Sequence, residues 1–273
     1  MYVYTLSQWL LFFYVYCFFG WIFESGFVSI RKKKFVNRGF MHGPFLPLYG
    51  CGAILALIVT IPVRGNYVLM YLFGAIAATI LEYITGVVME AVFKVRYWDY
   101  SNQKFNFQGH ICLSSTIAWG FLVIFLVEVV HQPIERMILS IHGVWQEILV
   151  YALTFYFVAD FTLAFKEAVE LRDLLLYVER AKDDVERMKK RLDVVIAVAD
   201  EEFSQKKELL KEKQQLYAEA LEERMEQYKN RLSGHNLHLA KRFFSAHPTA
   251  YSERFSGALA ELKENVKNLK KEK

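Results

Sequence analysis

Up to Ala164 the sequence is a series of apolar runs separated by short polar breaks, and that pattern restricts the fold more than any single motif does. Gln8 to Ile30, Phe45 to Val63, Tyr67 to Phe93, Ile111 to Val130 and Ile141 to Phe165 each approach the length of a membrane crossing. In hydrocarbon a backbone must satisfy its own hydrogen bonds, so such runs predict helices. Charge obeys the same division, with 10 Lys/Arg and 8 Asp/Glu up to Ala164 against 23 and 21 from Phe165 onward. The expected fold class is therefore all-α. Residues 1–165 form a polytopic membrane helix bundle of about five transmembrane helices, and residues 166–273 a charged helical, coiled-coil-like tail.

Orientation follows from the basic residues between the runs. Alternate loops carry five (Arg31 to Arg38), one (Arg64), three (Lys94, Arg96, Lys104) and one (Arg136). The larger numbers fall on one side, and the positive-inside rule makes that side cytoplasmic. The N-terminus is then outside and the tail in the cytoplasm. Met1 to Ser7 carries no Lys or Arg, so it lacks the charged start of a signal peptide.

Within the third run two carboxylates stand out, Glu82 and Glu90. A charged side chain at the centre of a membrane helix costs about 2.5–3.5 kcal/mol on insertion scales. At helical spacing Glu82, Thr85, Gly86 and Glu90 share one broad face, so a single cavity could serve both acids. The plainer reading is that each bonds a neighbouring helix. The orientation also gathers Glu24, Arg38, His42, Tyr49, Glu82, Glu90, Arg96, Trp98, Asp99, Asn106 and His110 toward the cytoplasmic half, as a cavity open on that side requires. Solvation at the interface accounts equally for the loop residues, but not for Glu24 and Glu82. The Gly- and Pro-rich stretch Arg38 to Gly50 cannot be one regular helix. It is either an ordinary loop or irregular backbone lining a cavity. His131 and His142 are taken as surface residues.

In the tail, Leu171, Leu174, Val178, Ala181, Val185, Met188, Leu192, Val195 and Ala199 alternate at spacings of three and four, a coiled-coil seam. Asp200 to Glu202 interrupts it, a weaker helix resumes from Phe203 to Leu232, and Ser233-Gly234 stops that helix. His247 to Thr249 makes a turn before a last amphipathic helix bearing Phe255, Leu259, Leu262, Val266 and Leu269. Folding back and dimerisation through 171–199 both bury the seam, with self-association slightly preferred. The interleaved tail charges argue against a nucleic-acid partner; membrane lipid is the expected surrounding.

No P-loop, H-E-x-x-H or G-x-S-x-G pattern occurs, so no enzyme class is indicated. Cys17, Cys51 and Cys112 lie in or beside apolar segments without C-x-x-C spacing and are expected as buried small hydrophobes. His42, His110, Glu82, Glu90 and Asp99 are ligand types that suit several divalent ions, but their spacing assigns neither metal nor cofactor.

Several motifs then resemble a known group. Gly20-Trp21-x-x-Glu24, Arg38-Gly39 and Gly43-Pro44-x-x-Pro47-x-Tyr49-Gly50 look like the opening motifs of a bacterial family labelled ABC-transporter permease, CmpB type. Glu82-Tyr83-x-Thr85-Gly86-x-x-x-Glu90, Trp98-Asp99-Tyr100-Ser101, Asn106-x-x-Gly109-x-Ile111-Cys112-Leu113 and Trp119-Gly120 are similar to its later ones. The resemblance implies a bacterial inner-membrane protein with a transport label, and a separate ATPase subunit as partner, since this chain has no ATPase domain. Three functions are expected. The first is a permease-like protein whose cytoplasm-facing polar pocket takes a small polar or ionic substrate. The second is a membrane-embedded enzyme, metal-dependent or not, acting on a lipid or lipid-linked substrate. The third is a non-catalytic scaffold working through its tail.

Overall fold

A computed structural model describes residues 4–201, 207–231 and 234–268. Helix α1 spans Leu6–Lys32. Thr5 caps it by accepting from the Gln8 amide (3.3 Å) while the Gln8 side chain accepts from the Thr5 amide (2.9 Å), a reciprocal cap that satisfies two free donors. It ends at Lys33, whose left-handed backbone (φ 52°) stops the helix, with Arg31 and Lys32 in the last turn where cations complement the helix dipole. Then come α2 (Pro47–Thr60), a short 3₁₀ turn (Ile61–Val63) and α3 (Tyr67–Phe93), the last capped by Asn66. A loop holds a two-residue hairpin, β1 (Asn106–Phe107) antiparallel to β2 (Ile111–Cys112), a small departure from the all-α expectation. Helix α4 (Leu113–Phe125) passes through a π turn (Leu126–Val130) into α5 (His131–Leu139), and α6 runs from Val144 to Glu201. Helices α7 (Lys207–Arg231), α8 (Gly234–Ala246) and α9 (Ser256–Asn268) complete the described chain.

Among the described residues, four helical stretches are long and apolar enough to cross a membrane: Leu6–Lys32, Tyr67–Phe93, Leu113–Leu139 and Val144–Val194. The second expected span is shorter, an apolar helix over Pro47–Val63. At 1.5 Å per residue that is about 25 Å, less than the roughly 30 Å hydrocarbon core. The reason is local. Pro47 sits in the first turn of α2, and the chain before it is not helical. In that stretch Met41 is fully covered and Phe45 nearly so, and the Leu46 amide bonds the Cys17 carbonyl of α1 (3.0 Å). Ile76, Ile80, Ile84 and Val88 form a stripe one turn apart along α3, each more than half exposed, an outward apolar face that suits lipid.

The chain divides into two compact units. The first comprises Met1–Ala168 together with Phe243–Tyr251. Its helices approach closely where glycine allows it: a Cβ on Gly20 would lie 2.3 Å from the Cβ of Tyr49, and one on Gly120 2.4 Å from the Tyr71 ring. Hydroxyls add cross-helix bonds, Thr79 to Thr116 at 3.0 Å and Tyr71 to the Ile117 carbonyl at 3.2 Å. Tyr4, Phe12, Leu57, Met70, Val123, Val127 and Ile138 belong to its main apolar cluster. Cys17 and Cys112 are buried as expected, whereas Cys51 is exposed on the apolar helix α2. The segment Phe243–Tyr251 belongs to this unit although its sequence lies in the charged tail. Arg96 and Tyr251 exchange backbone hydrogen bonds (2.7 and 3.1 Å), Arg38 Nη1 donates to the Ala246 carbonyl, and the Tyr97 ring packs against Phe243 and His247.

The second unit comprises Val169–Arg242 and Ser252–Lys273. Leu171, Leu174, Val178 and Ala181 of the seam are buried within the single chain, as are Phe255, Leu259, Leu262 and Val266 of α9. Ion pairs Lys182–Glu261 and Arg254–Glu179 lay α9 along α6, while Tyr228 bonds Glu261 and Arg224 meets Asp184 at 3.3 Å. The first half of the seam is thus covered within the chain, where α9 is paired with α6. Val185, Met188 and Leu192 are partly covered. The break at Glu202, the start of the next helix at Phe203 and the Ser233 stop lie outside the described residues, as do Leu269 and the side chains of Val195 and Ala199. The turn at His247 is present, closed by the Ala250 amide on the His247 carbonyl (3.1 Å).

Candidate functional site

The expected site residues fall into several hydrogen-bonded groups. Glu82, 5% exposed in the middle of α3, accepts from Trp119 Nε1 (2.9 Å), Tyr100 Oη (3.1 Å) and Ser115 Oγ (3.4 Å). These donors come from α4 and from the loop between α3 and α4, which folds back over the acidic face of α3. Burial pushes the Tyr100 hydroxyl above its ordinary pKa, and the neighbouring Glu82 carboxylate adds to the rise.

Two turns along, Glu90 bonds Arg96 Nε (2.8 Å) and His110 Nε2 (3.1 Å). Arg96 Nη1 also lies 3.9 Å from Asp99, which accepts from the Ser101 amide (3.0 Å) and hydroxyl. Trp98 Nε1 donates to the His110 carbonyl (2.9 Å). Asn106 shapes the loop, donating to the Gln103 and Ser101 carbonyls and accepting from the Gly109 amide (3.2 Å). Gly86 gives His110 its place, since a Cβ there would lie 2.9 Å from Nδ1. His110 is 4% exposed, and burial lowers its pKa against the opposing pull of Glu90. Beside this group is an open hollow of about 600 Å³ bordered by Glu90, Arg96, Asn106, His110, Ser101 and Gln108.

Glu24 of α1 accepts from Tyr49 Oη of α2 (2.8 Å), with Arg38 Nε at 3.9 Å from its other oxygen. His42 belongs to a fourth group. Its ring bridges Asp160 (3.1 Å) and Glu167 (2.9 Å) of α6, and Asp160 also accepts the amides of His42 and Gly43. Asp160 was legible in the sequence by the reasoning applied to Glu82, an acid inside an apolar run. Glu167 carried no such signal.

Between α1, α2, α3 and α4 lies a cavity of about 400 Å³. Glu82 is its one acidic lining residue; Tyr16, Tyr49 and Trp119 are the other lining residues with polar side-chain atoms, and the remaining wall is alkyl, glycine or phenyl. Phe19, Ile22, Phe23, Leu122 and Phe125 belong both to this wall and to the exposed apolar surface, so the cavity lies against the outward face. Glu90 is not on this wall; it borders the separate hollow. Glu82 and Glu90 share one face of α3, and the loop and α4 give each its own partners.

His131, expected at the surface, is 3% exposed. Its Nδ1 lies 2.6 Å from Tyr16 Oη and its Nε2 3.2 Å from Tyr4 Oη, and Tyr4 donates to Glu135 (2.5 Å). Its burial follows from Tyr4, just before α1, and Phe12 and Tyr16 of α1 facing the start of α5, a long-range contact without a local sequence signature. His142 is exposed. Among the described residues no group of three or more His, Cys, Asp or Glu is arranged to hold a metal ion.

No curated protein and no solved structure matches the chain. Residues 11–165 match the model of the family described as "Putative ABC-transporter type IV", and since that match covers more than half of the sequence, the chain belongs to this family.

Proposed function

We propose that this is a permease-like membrane protein that admits an amphipathic molecule, a lipid or lipid-linked compound, into the cavity between α1 and α4. The observation that carries this reading is the lining of that cavity, with one carboxylate in an otherwise mostly apolar wall. A small ion entering alone would give up its hydration for too few ligands. An acyl chain meets no such cost, although it gains little over the bilayer, which is equally apolar. What the protein adds is a fixed polar end, Glu82 with Tyr49 and Trp119, against which a head group can be oriented. The lining residues on the outward face support access from the lipid.

In this reading the protein sits in the bacterial inner membrane, with the basic loops and the tail in the cytoplasm. Pro47–Val63 completes a five-segment bundle as a short crossing, and a separate ATPase subunit supplies energy. A small polar or ionic substrate is the second reading, favoured by the hollow beside Glu90, Arg96, Asn106 and His110. Arg96 and Glu90 are occupied with each other there, so a ligand must bridge or part them.

The test is photolabelling of the full-length protein in nanodiscs by a phospholipid with a diazirine in its acyl chain. Adducts are expected on the inner wall at Ala53 and Ala56, both nearly fully buried, and Ala78→Phe should remove them by filling the cavity. Labelling confined to outward residues such as Ile80 and Ile84, unchanged by that substitution, would refute the reading.

A further inference from the structure

The cavity has a second polar feature besides Glu82. Tyr16 lines it, and the Tyr16 hydroxyl is the first member of a hydrogen-bonded series leading away from it: Tyr16 to His131 Nδ1, His131 Nε2 to Tyr4, Tyr4 to Glu135. Tyr4, Tyr16 and His131 are buried, while Glu135 is half-exposed. The donors and acceptors fix the direction of the series. An ionised Glu135 only accepts, so Tyr4 must donate to it. The Tyr4 oxygen then accepts from Nε2 of His131, which makes Nε2 the protonated ring nitrogen. Nδ1 of the neutral ring is left as an acceptor, and Tyr16 donates to it. Every member is satisfied, with one polarity throughout.

We propose that this series is a proton wire joining the intramembrane cavity to Glu135. One proton enters and one leaves without any heavy atom moving. Tyr16 passes its proton to Nδ1, the Nε2 proton passes to Tyr4, and the Tyr4 proton passes to the Glu135 carboxylate. The Tyr16 oxygen is made whole by a proton from a water molecule or a protonated head group in the cavity. Counting the cavity donor, four O–H or N–H bonds break and four form, and one proton has moved from that donor, left as its conjugate base, to Glu135. The end state has the reverse polarity: Glu135 donates to Tyr4, Tyr4 to Nε2, Nδ1–H to Tyr16, and the Tyr16 hydroxyl is released toward the cavity. The charged groups facing the series are Glu135 itself and Arg64 of the α2–α3 turn, which is paired with Glu128 at 3.7 Å. The wire goes beyond the proposed amphipathic cargo and does not depend on it.

The test reads the ring rather than transport. In full-length protein carrying ¹⁵N-labelled histidine in nanodiscs, the His131 resonances are identified by their loss in His131→Phe. At a pH where Glu135 is ionised, Nε2 carries the proton. On acidification through the titration of Glu135 the ring should stay neutral and exchange tautomers, with Nδ1 becoming the protonated nitrogen. Glu135→Gln, whose amide donates to Tyr4, should hold the Nδ1–H tautomer at every pH. Tyr16→Phe removes the acceptor for Nδ1–H and should abolish the switch. A ring that becomes doubly protonated with Glu135, or keeps one tautomer throughout in the unmodified protein, overturns the proposal. So does Glu135→Gln behaving like the unmodified chain.

Discussion

Glu82 separates a packing role from a charge role by its pattern of donors. Glu82→Ala removes the acceptor for Trp119 Nε1, Tyr100 Oη and Ser115 Oγ. Ser115 keeps its bond to the Cys112 carbonyl (2.9 Å), so it loses little. Trp119 Nε1–H donates only, and it is left without this acceptor inside the bundle at a cost of about 1–3 kcal/mol; the half-buried Tyr100 hydroxyl adds about the same again. The expected total is roughly 2–6 kcal/mol. Glu82→Gln behaves differently. Its amide oxygen can take the position facing Trp119 and Ser115, and its NH₂ then faces Tyr100, whose hydroxyl turns to accept. Only the charge assistance is lost, about 1–1.5 kcal/mol. In the double variant Glu82→Ala/Trp119→Phe the orphaned indole N–H is gone, and roughly 1–3 kcal/mol should return. Equilibrium unfolding of the purified protein in mixed micelles, followed by tryptophan fluorescence and by circular dichroism, measures all three. If Gln costs as much as Ala, or the double variant is no more stable than Glu82→Ala, the hydrogen-bond account of this site is wrong.

Burial lowers the pKa of His110, so folding favours its neutral ring. That contribution is whole above the unfolded value of about 6.5 and is lost as pH falls through the lower folded value. Stability should therefore drop on acidification across that window, and His110→Gln should flatten the dependence in the same unfolding assay; an unchanged slope counts against it. Phe243→Ala removes a buried ring that packs on Tyr97, and core Phe→Ala changes cost about 3–5 kcal/mol. The docking of Phe243–Tyr251 should loosen, and hydrogen exchange at the Arg96 and Tyr251 amides, which bond each other's carbonyls, should accelerate by orders of magnitude. Exchange as slow as in the unmodified chain would show that the ring does not hold the segment.

Much of the molecule was legible before any coordinates. Apolar runs of about 20 residues or more leave a backbone no alternative to helix, so α1, α3, the α4–α5 stretch and α6 followed from composition and length alone. The seam from Leu171 to Ala181 was visible because helical periodicity repeats locally, and the Gly-Pro stretch before α2 announced its irregular backbone. An acid inside an apolar run is conspicuous for the same energetic reason, which is why Glu24 and Glu82 could be named.

What the linear sequence did not contain is which partner each of those groups meets. Whether Glu82 faces Trp119 or a shared chamber depends on how α3 and α4 rotate against each other, and close glycine–ring contacts settle that rotation. His131 carries no local mark of burial; the rings of Tyr4, Phe12 and Tyr16, more than a hundred residues earlier, cover it. The seam needed an apolar face to cover it, and only the packing brings α9, some eighty residues later, beside its first half. Length and hydropathy are sums over neighbours in the chain, so the sequence determined the helices. Hydrogen-bond partners and cavities are differences between surfaces distant in the chain, and only the tertiary packing decided them.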